Sequence, residues 1–195
     1  MKMSDRDKIL SAIRQANQGL EIDRPASEGV EILAFKEPLA QACRMVEAVG
    51  GEVVRFDRPT GFDMETGLRE LVEQMRPGCE VFFAINRGMD DFERRPVEVL
   101  VVAGSFLVAE NGAVWVNSGQ TGSASNRSLL FLAEHLMLVV GSANVVGTMH
   151  EACKRIRGDQ SAYGTFISGP SKTADIEQAL VIGAQGPRRM TLILT

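Results

Sequence analysis

Two short stretches hold the residue types that could do chemistry. The first is the turn Ser168-Gly169-Pro170-Ser171-Lys172-Thr173, which follows the apolar, β-prone run from Tyr163 to Ile167. A helix is expected directly after it, because Ile176, Leu180 and Val181 recur at helical spacing until Gly183 offers a left-handed stop. Backbone N–H groups at a helix start lack intrahelical partners and carry the positive end of the dipole. Ser168, Gly169, Ser171, Lys172, Thr173 and Asp175 are therefore candidates for an anion-binding turn. The competing reading makes Thr173 simply the N-cap, with Asp175 and Glu177 answering the dipole in the first turn.

The second stretch is Glu110-Asn111-Gly112, set between two apolar runs. In a partly dry pocket with donors nearby, the Glu110 carboxylate could act as a nucleophile or base. The plainer reading is an acidic residue beside an Asn-Gly turn. Arg127, Lys172 and Arg87 could gather positive charge around a carboxylate or phosphate, the arginines by forked hydrogen bonds and the lysine as a point charge. Taken singly, each is an ordinary solvated residue. His135 and His150 have no partner at metal-ligand spacing, although Glu151 adjoins His150, so no metal site is expected. The G-x-S-x-G elbow and the Walker sequence are both missing.

The run S-G-P-S-K-T-A-D-I-E from Ser168 to Glu177, followed by G-x-x-G-P from Gly183 to Pro187, resembles the C-terminal signature of the LUD-domain family, which includes the lactate utilization protein C group. Several residues at fixed spacing make this more specific than a lone glycine-rich loop. The family's second piece usually reads G-V-H-G-P. Here Gln185 stands in place of the histidine, so no role of that histidine carries over. The resemblance implies a fold like that of NagB/RpiA sugar-phosphate isomerases and CoA transferases, and a non-redox, accessory part in oxidising L-lactate to pyruvate. It also implies partner subunits that hold iron–sulfur clusters, with no cofactor in this chain. Glu110-Asn111-Gly112 resembles in turn the S-E-N-G motif of class I CoA transferases, with Ala109 in place of the serine. That likeness keeps a second possibility open, a free-standing acyl or CoA transferase or a sugar-phosphate isomerase that uses Glu110.

The elements that must position these residues alternate. Ser4 and Asp7 have capping-box spacing ahead of a helix whose face is Ile9, Leu10 and Ile13, read as an N-terminal arm and linker over residues 1–30. An α/β domain is expected over 31–195. Helix Pro38 to Val49 leads through Gly50-Gly51 to strand Glu52 to Phe56, and helix Met64 to Met75 leads through Pro77-Gly78 to strand Glu80 to Ile85. The polar loop Asn86 to Pro96 is long enough to overhang the strand ends where open sheets bind ligands. Val97 to Val102 and His135 to Val140 read as buried strands. Ser105 to Ala109 and Ala113 to Val116 form a hairpin around Asn111-Gly112. Ser118 to Asn126 is a Gly/Ser-rich loop, Ala143 to Ile156 a helix, and the closing TLILT a central strand. The result is a three-layer α/β/α fold with a mostly parallel sheet plus an antiparallel hairpin. If strand ends and helix starts gather at one edge, Glu110 and the Ser171-Lys172-Thr173 turn border one cleft.

Composition bounds the rest. The chain has 195 residues, 45% of them hydrophobic and 24% charged, enough for one substantial core. A net charge of −4 argues against a nucleic-acid partner, which needs a basic face, while scattered arginines suit a small anionic ligand. The charged start MKMSDRDKIL is unlike a signal peptide and the apolar runs are too short to span a bilayer, so a cytoplasmic protein is expected. Cys43, Cys79 and Cys153 lie far apart, unlike the ligands of an iron–sulfur cluster.

Overall fold

The computed structural model describes residues 4–19, 33–57, 63–85, 96–121, 127–161, 163–174 and 180–195. The chain divides into two compact units, 1–32 and 33–195. In the first, α1 (Asp5–Ala16) is capped by Ser4, whose Oγ accepts the Asp7 N–H and donates to the Asp7 carboxylate. Its apolar positions Ile9 and Ile13 are exposed.

In the second unit, α2 (Pro38–Ala48) leads to β1 (Glu52–Arg55), and α3 (Met64–Met75) leads to β2 (Val81–Phe83). Then come β3 (Val97–Ala103), the hairpin β4 (Phe106–Val108) and β5 (Val114–Asn117), and the short helices α4 (Ser118–Thr121) and α5 (Leu129–Leu132). The remainder is β6 (Ala133–Val140), β7 (Val145–Val146), α6 (Met149–Ile156), β8 (Gly164–Ile167), β9 (Lys172–Ala174), β10 (Leu180–Ile182) and β11 (Arg189–Leu194).

Five parallel strands in the order β1-β11-β6-β3-β2 form the main sheet. Its central strands are near-continuous apolar runs because both faces are covered. On one face Val99, Val101, Met137 and Ile193 pack with Leu68 and Val72 of α3. On the other, Leu100, Leu136, Leu138 and Leu192 pack with Ala42 and Val46 of α2 and with Leu107 and Val114 of the hairpin. The hairpin belongs to a second sheet, β7-β4-β5-β8. The amphipathic α6 packs there, Ala152 joining Phe106, Val108 and Ala113. The expected α/β fold, with a mostly parallel sheet, helices and an antiparallel hairpin, is the one observed.

Two expected helices need correction. Over Ala143 to Ile156 the helix starts only at Met149, after Thr148 caps it by accepting the Glu151 N–H. Val145 and Val146, both β-branched, instead pair with β4 opposite Leu107 and Val108. After Ser171 the described residues start no helix either. Lys172–Ala174 is a strand, paired antiparallel with Leu180–Ile182 so that Thr173 lies opposite Val181. The reason is nonlocal: Ser171 donates its N–H to Pro187 O and accepts the Gly183 N–H, which draws the chain back into a ribbon. Residues 175–179, with Asp175 and Glu177, lie outside the described residues, as do Arg87 and most of the 86–96 loop.

One polar line crosses the main sheet. His135 on β6 lies 2.8 Å through Nε2 from Thr191 Oγ1 on β11, and that hydroxyl donates to Glu52 Oε2 on β1 at 3.2 Å. Burial, with Arg76 and Arg189 adding positive charge nearby, lowers the pKa of His135 from 6.5 to about 4. A folded histidine that resists protonation makes the unfolded chain the better proton acceptor. Stability is therefore complete above about pH 6.5 and falls as pH drops toward 4. The loss from this one group approaches about 3 kcal/mol. Urea unfolding of wild type and His135→Asn at pH 7 and pH 4.5 is expected to show the steeper loss in wild type. Equal losses would contradict it.

Candidate functional site

Two glycine turns meet on one helix. Gly169 has φ +74°, and a Cβ there would lie 2.7 Å from Val49 O, just past the end of α2. Gly112 has φ +66°, and a Cβ there would lie 2.7 Å from Val46 N within α2. Both turns thus need a residue without a side chain, for conformation and for space. Between them, Ser168 Oγ donates to Asn111 O at 2.8 Å. The two motifs therefore lie side by side.

Glu110 points its carboxylate at α6. Its Oε2 accepts the Met149 N–H at 2.7 Å, in the first turn, where a helix has donors to satisfy and favours negative charge. Asn111 Oδ1 accepts the Ala113 N–H, closing its own turn. This is the geometry of a helix cap.

The second half of the signature joins the first. The Ser171 bonds to Pro187 and Gly183 knit the two pieces together, and Gly186 lies against the Ser171 side chain. A groove of about 260 Å³ runs along Ile167 to Lys172 and Gln185 to Pro187, closed on one side by Leu130 and Phe131. The N–H of Ser171 is used internally, so the polar side chains at this groove include the Ser171 hydroxyl, the Lys172 ammonium and the Gln185 amide. Lys172 extends over Gly50, its Nζ 3.1 Å from where a Cβ would stand. That places a cation beside the carboxyl end of α2, a helix with no basic residue in its own last turn.

The other candidates are dispersed. Arg127 lies outside the groove, its guanidinium 5.2 Å from the centre of the Tyr163 ring. Thr173 sits in β9 and, among the described residues, caps no helix. His150 is exposed on α6. The groove also lies where the parallel strands begin, since Gly183 to Arg188 lead into β11 and Gly50-Gly51 into β1; the expected gathering at strand ends with helix starts is corrected by the ribbon. Leu130 and Phe131 belong to the site without any marking in the sequence beyond that of ordinary core residues. Among the described residues no cluster of three His, Cys, Asp or Glu side chains is placed to hold a metal, and no helix is long and apolar enough to cross a membrane.

A family model described as LUD domain matches residues 96–195. Lactate utilization protein C from Geobacillus sp. (strain WCH70) is 28% identical over 201 residues, covering 96% of this chain and 78% of that protein. Its namesake from Geobacillus thermodenitrificans is 27% identical, with the same two coverages. A shorter alignment with Lactate utilization protein C from Bacillus pumilus reaches 34% over 100 residues, 48% of this chain and 40% of that one. Among solved structures, a DUF162 family protein from Deinococcus radiodurans, determined at 1.70 Å, superposes with a TM-score of 0.55 over 84% of this chain and 99% of its own. Identity there is 12%, so that likeness concerns the fold.

The packing sets the expected response to substitution. Gly169→Ala and Gly112→Ala should each lower stability by about 2 kcal/mol or more, from the left-handed backbone and the contact with α2. Thr173→Ala should cost well under the ~1 kcal/mol of a lost N-cap. Urea denaturation of the three variants checks both statements. A large loss for Thr173→Ala with a negligible one for Gly169→Ala would contradict them.

Proposed function

The chain belongs to the LUD domain family, and we propose on that footing that it serves in lactate utilization as a non-redox, accessory component of an L-lactate oxidising system. The observation that carries this reading is the match over residues 96–195, together with relatives named Lactate utilization protein C aligned along 96% of the chain. In this reading the electrons of lactate oxidation pass through iron–sulfur partner subunits in the cytoplasm, and this chain supplies a folded surface with a small anion-binding groove.

In this reading the groove between the two signature pieces holds the anion. Lys172 offers a positive charge, the Ser171 hydroxyl and Gln185 amide offer hydrogen bonds, and Phe131 and Pro187 offer apolar walls. The alternative of a free-standing transferase or isomerase acting through Glu110 has less support. A carboxylate already accepting the Met149 N–H is held by the scaffold rather than presented to a substrate.

Deletion of the gene in the native host, followed by growth on L-lactate and on pyruvate, tests the reading. The expected outcome is slow or absent growth on lactate only, restored by the wild-type gene and poorly by Lys172→Ala. The Lys172→Ala protein should keep its unfolding free energy in urea titration to within about 0.5 kcal/mol, because an exposed lysine contributes little to folding. Undiminished lactate oxidation in the deletion strain would end the proposal.

A further inference from the structure

A second cavity, of about 420 Å³, opens where β1, β11 and β6 begin, and the role proposed above does not use it. Three arginines, Arg76, Arg188 and Arg189, are among the residues that line it, and Arg76 Nη2 donates to Cys79 Sγ at 3.8 Å. None of them makes an ion pair among the described residues. Among the described residues that line it, one is an acid. Glu52 lines the same cavity, and its carboxylate accepts the Thr191 hydroxyl proton.

That bond fixes the rest of the line. A threonine hydroxyl has a single proton, and an ionised carboxylate can only accept. With the proton directed to Glu52, Thr191 Oγ1 must accept from His135 Nε2–H. The neutral ring then carries its lone pair on Nδ1, which is buried and has no partner among the described residues. His135 is 3% exposed and Thr191 fully buried, so the line is held by the sheet rather than by solvent. Its effect is to turn the Glu52 carboxylate toward Thr191, and among the described residues no carboxylate pairs with Arg76, Arg188 or Arg189. Arginine presents a rigid fork that matches a carboxylate. Met75 and Met190 supply apolar lining, which suits a carbon skeleton.

We propose that this cavity binds a small organic carboxylate, with Arg76, Arg188 and Arg189 holding the carboxyl group and the methionines packing its carbon chain. Thr191 and His135 are positioning residues. They keep the local acid, Glu52, from occupying the arginines. The inference rests on the cavity's own chemistry, not on the role in lactate utilization, and the site is distinct from the signature groove.

Calorimetric titration of the full chain with L-lactate, propionate and inorganic phosphate tests it, alongside amide shift mapping by NMR. Saturable one-to-one binding of both carboxylates is expected, with the largest shifts at Gly50, Gly51 and Thr191. Arg76→Gln and Arg189→Gln should each weaken binding about tenfold or more, the effect of losing a charge-assisted pair. Glu52→Gln should strengthen it. Lys154→Gln, which removes one positive charge from exposed α6, should leave it unchanged, and urea midpoints would verify that each variant is folded. No saturation with either carboxylate overturns the proposal. So would phosphate binding as tightly as the carboxylates, shifts confined to Ser168 to Lys172, or equal weakening by Lys154→Gln.

Discussion

The carboxyl-terminal half of α2 is the surface against which the rest of this domain is set. Its inner face, Ala42 and Val46, closes the core between the parallel sheet and the hairpin. Its backbone, at Val46 and Val49, receives Gly112 and Gly169 at distances no side chain would permit. Because both turns are seated on one rigid element, the Ser168 hydroxyl reaches the Asn111 carbonyl, and residues far apart in the chain become one hydrogen-bonded patch. The final turn of the helix then continues through Gly50 and Gly51 into β1, so the same element also fixes where Lys172 can lie.

How much of this was legible in the sequence follows from the range of the forces involved. Val97 to Val102 and His135 to Val140 announced buried parallel strands, because burial on both faces leaves a continuous apolar run. Asn111-Gly112 announced its hairpin through local backbone preference. The stretch after Lys172 misled because Ile176, Leu180 and Val181 fit a helical period while Leu180, Val181 and Ile182 equally suit a strand. The bonds from Ser171 to Gly183 and Pro187 decide between the two, and no local propensity contains them. Val145 and Val146 are a similar case, claimed by the open edge of β4 before a helix could include them.

For the candidate site, the sequence named the right turns but could not say what their side chains face. Glu110 reads as a reactive carboxylate beside a turn, and its actual partner, the Met149 N–H, lies on a helix added much later in the chain. Arg76, Arg188 and Arg189 look like scattered surface charge until α3 and the start of β11 bring them to one cavity. Both cavities described here lie where parallel strands begin, not where they end. In open α/β sheets the crevice is usually at the carboxyl ends, where loops enter helices. Here the glycine turns before β1 and the signature turns before β11 occupy the opposite edge and give it its polar groups.

The most direct test of this arrangement is the proximity of the two glycine turns to α2 in solution. Nuclear Overhauser contacts between the Gly112 Hα protons and the Val46 amide, and between the Gly169 Hα protons and the Val49 side chain, can be measured on labelled protein. The expected result is strong cross-peaks for both, since each glycine is pressed against α2 where a Cβ would collide. Loss of either cross-peak, with the parallel sheet intact, would contradict the claim that α2 gathers the two motifs into one site.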